Sequence, residues 1–98
     1  MKIYITSSTW SDIKKIVDWG ELYYKQYQDE IDDGIESGIT DMLSHIKSIK
    51  DSVEKAYEMQ YVEIRKHDVY YFERLLDEVE KEKAANDEVV RIIREKMK

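Results

Sequence analysis

The chain has no cysteine and no proline, only three glycines in 98 residues, and a single phenylalanine. Lack of cysteine excludes a disulfide framework, a thiolate nucleophile and a cysteine-type zinc site, and it leaves the compartment unmarked. No apolar run approaches the ~18 residues of a membrane span, so no membrane association is expected. The opening MKIYITSSTW carries one lysine and no long apolar stretch, which predicts no signal peptide and a cytoplasmic protein. There is no glycine-rich phosphate loop, no Ser-His-acid arrangement and no nucleophile elbow. The chain therefore reads as a non-enzyme, with no catalytic residue, no cofactor and no metal expected.

What is present is charge on a helix-forming background. Charged residues make up 39% and hydrophobic residues 42%, a balance that suits helices with one buried stripe and a solvated remainder. The net charge of −6 is unevenly placed. Residues 1–20 carry a net of +1 and residues 42–98 a net of −1. Residues 21–41 hold Lys25 against Glu21, Asp29, Glu30, Asp32, Asp33, Glu36 and Asp41, a net of −6. The last eight residues run the other way, with Arg91, Arg94, Lys96 and Lys98 against Glu95.

Periodicity predicts an all-α fold, an antiparallel helical hairpin or small bundle in one domain, with helices over about 9–32, 38–83 and 86–98. Residues 1–8 form a short extended arm: Ile3 and Ile5 alternate with polar neighbours, and no second strand-like run is found to pair with it. Ser7, Ser8 and Thr9 offer cap oxygens. Trp10, Ile13, Val17, Gly20, Tyr24, Tyr27 and Ile31 then recur at steps of three and four. Gly20 falls on that face, where it allows close packing. Asp32-Asp33-Gly34 to Ser37-Gly38 is the clearest break. Ile39, Met42, Ile46, Ile49, Val53 and Ala56 form a coiled-coil-like stripe, continued by polar Gln60 and Glu63. An eleven-residue series persists beyond it, through Met42, Val53, Ile64 and Leu75 and, less regularly, Ile35, Ile46, Tyr57, Asp68, Val79 and Val90. With no Gly or Pro from 39 to 83, we expect one continuous helix. At ~69 Å it would need cover from the C-terminal helix or a second subunit rather than a bend near Arg65–Asp68. Asn86 caps the last helix, with Asp87 and Glu88 in its first turn. Glu21–Lys25, Asp77–Lys81 and Asp87–Arg91 are spaced for helical ion pairs.

Both histidines have a carboxylate one turn away, Asp41 before His45 and Glu63 before His67. We read each pair as a surface contact. His45 with the doublet His67-Asp68 is similar to the pattern of HD-type phosphohydrolases, whose fold is larger and whose final Asp has no counterpart at a suitable distance here. Arg65-Lys66-His67-Asp68 followed by Leu75-Leu76 resembles the phospho-accepting helix of sensor histidine kinases, with Tyr71 where an Asn is common. Glu30-x-x-Asp33 resembles half of the magnesium site of all-α nucleotide pyrophosphohydrolases. In length and lack of cysteine the chain is similar to WXG-type secreted helical hairpins, but Trp19-Gly20 is adjacent, early and inside a helix. None of these patterns is complete.

Tyrosine is the unusual residue, with eight against one Phe. Adjacent residues on a helix point ~100° apart, so neither Tyr23–Tyr24 nor Tyr70–Tyr71 can be wholly buried. Tyrosine is favoured at interfaces because it buries area while keeping a bonded hydroxyl. We therefore expect a protein–protein interaction module. Its partner-binding set is Glu21, Tyr23, Tyr24, Tyr27, Asp29, Glu30, Asp32, Asp33 and Glu36, and its partner is a protein with a basic surface. Small acidic inhibitors of nucleic-acid-binding proteins, made by phages and mobile elements, offer the analogy. The alternatives are a structural coiled-coil or homodimeric helical subunit, or a secreted helical hairpin. Direct nucleic-acid binding through four C-terminal cations is not expected.

Overall fold

The computed structural model describes residues 1–30, 37–58 and 60–97, and side chains for all of these except 28–30, 37 and 58. Among them four helices form an all-α bundle with a two-stranded antiparallel sheet at the N-terminus. Helix α1 spans Ser7–Glu30 and α2 spans Ser37–Lys55. Trp10 Nε1 donates to the Val53 carbonyl at 2.7 Å, and Lys50 reaches Glu21 at 3.1 Å, so the two helices run antiparallel. The cap of α1 is one residue earlier than the sequence suggested. Thr6 Oγ1 accepts from the Thr9 amide at 3.2 Å, while Ser7 and Ser8 lie inside the first turn.

The continuous helix expected over 38–83 does not form. After α2 the chain makes a 3-10 turn at Ala56–Glu58, the strand β2 at Tyr61–Glu63, a second 3-10 turn at Lys66–Asp68, and helix α3 at Val69–Glu82. The reason lies in Tyr61-Val62-Glu63-Ile64, where β-favouring residues alternate. Val62 and Ile64 are fully buried, while Glu63 is exposed. This run supplies the strand partner for the N-terminal arm that helical periodicity alone does not predict. Strand β1, Lys2–Tyr4, pairs with β2 in the register Lys2 to Glu63, Ile3 to Val62 and Tyr4 to Tyr61. Hydrogen bonds from Ile5 to Gln60 and from Ile64 to Met1 extend the ribbon.

Reversal of the chain lays α3 beside α1 in the same direction, with Leu75 against Gly20 and Glu78 near Tyr23. A Cβ on Gly20 would lie 2.5 Å from Leu75 Cδ1 and 3.6 Å from Ile46 Cδ1, so the glycine is what lets the three helices approach. The stripe Met42, Ile46, Ile49, Val53 and Ala56 is buried as expected, together with Ile13 and Val17 of α1 and Phe72, Leu75, Leu76 and Val79 of α3. That stripe is covered within the chain, which removes the observation that suggested a second subunit.

Helix α3 ends at Lys83, which adopts the left-handed conformation (φ 54°, ψ 39°) that glycine usually supplies. Helix α4, Asp87–Lys96, begins as expected, with Asn86 Oδ1 accepting from the Glu88 amide at 2.8 Å. Glu21, Asp77 and Arg91 take other ion-pair partners than the expected Lys25, Lys81 and Asp87. Glu21 meets Lys50 of α2, Asp77 meets Arg94 of α4 at 2.6 Å, and Arg91 meets Glu88 and Glu95.

Candidate functional site

The second half of α1 carries a ladder of aromatic rings. Trp19, Tyr23 and Tyr27 are each one turn apart and so share a face. Trp19 stacks on Tyr23 with ring centres 4.7 Å apart and planes inclined by 21°. Tyr27 meets Tyr23 edge to face at 5.0 Å, and Tyr24 does so at 5.1 Å. Trp19 and Tyr24 lean on the core from its edge, while Tyr27 is 41% exposed. Two exposed residues, Tyr27 and Leu22, thus mark the outer rim of α1.

Beside this ladder α3 places two carboxylates. The Tyr23 hydroxyl donates to Glu78 Oε1 at 2.7 Å, with Glu82 Oε1 next to it at 3.2 Å. Burial and these acidic neighbours push the Tyr23 hydroxyl well above the usual phenol range. Tyr24 is pushed up to about 12, by burial first and by the charge of Glu78 second. Among the described residues neither Glu78 nor Glu82 forms an ion pair. This contrasts with Asp77 and Glu80 on the same helix, which are both held by Arg94. The face therefore combines stacked π-systems with two carboxylates that meet no cation among the described residues. Such a setting suits a guanidinium, which is planar, stacks on rings and donates in a fork to carboxylates.

The residues singled out from the sequence are distributed unevenly over this face. Tyr23, Tyr24 and Tyr27 form it. Glu21 does not, because its carboxylate turns toward α2, where its hydrogen bond and charge raise the Lys50 pKa. Asp29 and Glu30 belong to the last turn of α1, which holds no basic residue to offset the negative end of the helix. Asp32, Asp33 and Glu36 lie outside the described residues. Glu78 and Glu82 were missed by the sequence reading. Their i,i+4 spacing was visible, but their approach to Tyr23 depends on α3 folding back.

A second cluster brings His45 together with the doublet His67-Asp68, whereas neither Asp41 nor Glu63 is the carboxylate that meets a histidine. His45 and His67 both turn toward Asp68. His45 Nδ1 lies 2.7 Å from Asp68 Oδ1, and His67 Nε2 lies 3.7 Å from the same oxygen. Ser48 Oγ donates to Asp68 Oδ2 at 2.8 Å and accepts from Arg65 at 3.1 Å. Serine is thus bonded to the aspartate and not to the imidazole, so this is no nucleophilic triad. The stretch 65–68 lies in a 3-10 turn rather than on a long helix, unlike the phospho-accepting helix it resembled.

The cations of α4 are engaged internally: Arg94 with Asp77 and Glu80, Arg91 with Glu88 and Glu95, and Lys96 with the Tyr4 carbonyl at 3.1 Å. No helix among the described residues is long and apolar enough to cross a membrane. The chain has no significant match among protein-family models, curated proteins or solved structures.

Proposed function

We propose that the protein is a non-enzymatic interaction module whose aromatic–acidic face binds an arginine-bearing, basic protein surface. The observation that carries this reading is the pairing of the Trp19–Tyr23–Tyr27 ladder with Glu78 and Glu82, carboxylates that form no ion pair among the described residues. The acids of residues 29–36 follow the ladder directly in the sequence. A negative patch of this kind steers a basic partner and raises its association rate. Stacked aromatic rings add specificity for guanidinium over ammonium. A basic surface that normally holds nucleic-acid phosphates is the natural match, so occupation of such a surface would act as inhibition.

Calorimetric titration with matched arginine-rich and lysine-rich peptides tests the reading. The expected result is tighter binding of the arginine peptide, weakening as salt rises. Tyr27→Ala and the pair Glu78→Gln, Glu82→Gln should each weaken it about tenfold, the equivalent of ~1.4 kcal/mol. Equal affinity for both peptides, unchanged by these substitutions, refutes it. Reversal of Asp32, Asp33 and Glu36 to Lys should weaken binding further; no effect there confines the site to the helices.

A further inference from the structure

Asp68 is the one charged side chain with no solvent exposure among the described residues. Burying a carboxylate is costly unless it is closely partnered, so its surroundings call for an explanation. They are built from two separate elements. His45 comes from the middle of α2, while His67 and Asp68 come from the 3-10 turn that opens α3. One ligand atom from each of the three lies within 4.8 Å of the others.

We propose that His45, His67 and Asp68 bind one divalent transition-metal ion, with zinc the best fit. Two imidazole nitrogens and one carboxylate oxygen are a borderline donor set, suited to zinc, cobalt or nickel and poorly suited to magnesium or calcium, which take oxygens. Bonds of ~2.0–2.1 Å at tetrahedral angles place ligand atoms ~3.3 Å apart. The gap of 3.7 Å between Asp68 Oδ1 and His67 Nε2 is close to that, and the 2.7 Å hydrogen bond between Oδ1 and His45 Nδ1 opens when the metal replaces its proton. Small movements therefore complete the site.

The outer shell is already in place. Ser48 holds Asp68 Oδ2, which leaves Oδ1 turned to both imidazoles. Arg65 in turn holds Ser48. Tyr71 stacks on His45 with ring centres 3.7 Å apart and planes inclined by 7°, which fixes the imidazole plane. Oriented first ligands of this kind are what outer-shell groups provide in metal sites. His67 is 64% exposed, so the remaining coordination position faces solvent. Three protein ligands with one open position is the pattern of a zinc that meets water or an exogenous ligand, not of a closed structural site.

The test uses the untagged full chain, stripped with chelator and titrated with zinc chloride by calorimetry and with cobalt chloride by visible absorption. The expected result is one ion per chain and cobalt d–d bands of a four- or five-coordinate site. His67→Ala is the decisive variant, because this exposed side chain is not needed for the core. It should keep the circular-dichroism spectrum of the parent and lose at least tenfold in zinc affinity. Ser48→Ala should lose about tenfold through the outer shell. Absence of heat and of cobalt bands overturns the proposal. So does binding that His67→Ala leaves within tenfold of the parent, which would place the ion elsewhere, as on the acids of residues 29–36.

Discussion

Gly20→Ala sets two effects of known size against each other. Inside a helix the exchange gains ~1 kcal/mol, because alanine loses less backbone freedom on folding. No left-handed backbone at Gly20 opposes it. Packing opposes it instead. The new methyl would stand 2.5 Å from Leu75 Cδ1, where carbon atoms prefer ~3.5–4.0 Å. Leu75 must retreat by about an ångström or more to restore that contact distance. It is fully buried, with Ile46 on the same side, so it cannot move into solvent. Overpacking of this kind costs ~1–3 kcal/mol. The net expectation is a loss of ~1 kcal/mol, or ~4–8 °C in Tm for a domain of this length.

Thermal and urea unfolding of three variants check the reasoning. Gly38 has open space where its Cβ would be, so Gly38→Ala reports propensity alone and should be neutral or slightly stabilising. Leu75→Ala should cost ~2–5 kcal/mol. The double variant Gly20→Ala, Leu75→Ala should be more stable than the two single losses predict, by ~1 kcal/mol or more, because the new methyl then fills space instead of clashing. A Gly20→Ala protein more stable than the parent would refute the reasoning. It would mean that α1 and α3 are held apart by something other than this contact.

Three further outcomes follow from individual residues. Lys83→Gly should raise stability by ~1 kcal/mol, since a left-handed conformation is costly for a residue with a Cβ and free for glycine; a lower urea midpoint would contradict this. Asn86→Ala should cost ~1 kcal/mol by removing the acceptor for the Glu88 amide, seen as a lower Tm with early loss of α4 amide protection in hydrogen exchange. Stability should fall above pH 10, because the folded chain keeps the Tyr23 and Tyr24 protons to higher pH than the unfolded chain does. That contribution is complete below pH 10.0 and is lost as pH rises toward about 12 for Tyr24, at ~1.4 kcal/mol per pH unit for each retained proton. Urea midpoints measured across this range, with Tyr24→Phe as control, should show the slope; a flat profile argues against burial of these hydroxyls.

Local signals were legible and long-range ones were not. The apolar face of α1, the stripe of α2 and the Asn86 cap are all carried by residues within a few turns of each other. The reversal at residues 56–68 contains neither Gly nor Pro, so breaker residues alone predict a continuous helix there. Alternation in Tyr61-Val62-Glu63-Ile64 signalled a strand, and polar Gln60 and Glu63 had already ended the α2 stripe. An eleven-residue spacing masked this. Met42, Val53, Ile64 and Leu75 are indeed all buried, but only Met42 and Val53 share a helix, α2; Ile64 follows β2 and Leu75 lies on α3. Asp68 fell in the companion series as an apparent misfit, and it is fully buried. A carboxylate on an apolar stripe was the available sign of a partnered charge. Of its partners, His45 was legible only through the partial HD-type pattern, and Ser48, 20 residues away, carried no sign at all.

The reversal also explains why both candidate sites exist. On a continuous helix, His45 and His67 would be ~33 Å apart at 1.5 Å per residue, and Glu78 would stand ~50 Å from His45. The turn that follows β2 brings His67 and Asp68 against α2. The same turn sends α3 back along α1, so that Glu78 and Glu82 reach Tyr23. The strand is held by its pairing with residues 1–5, by the Tyr4–Tyr61 ring contact and by burial of Val62 and Ile64. The short arm at the N-terminus is therefore not an appendage. It fixes the point at which the chain turns, and through that turn it sets the geometry of two surfaces to which it contributes no side chain.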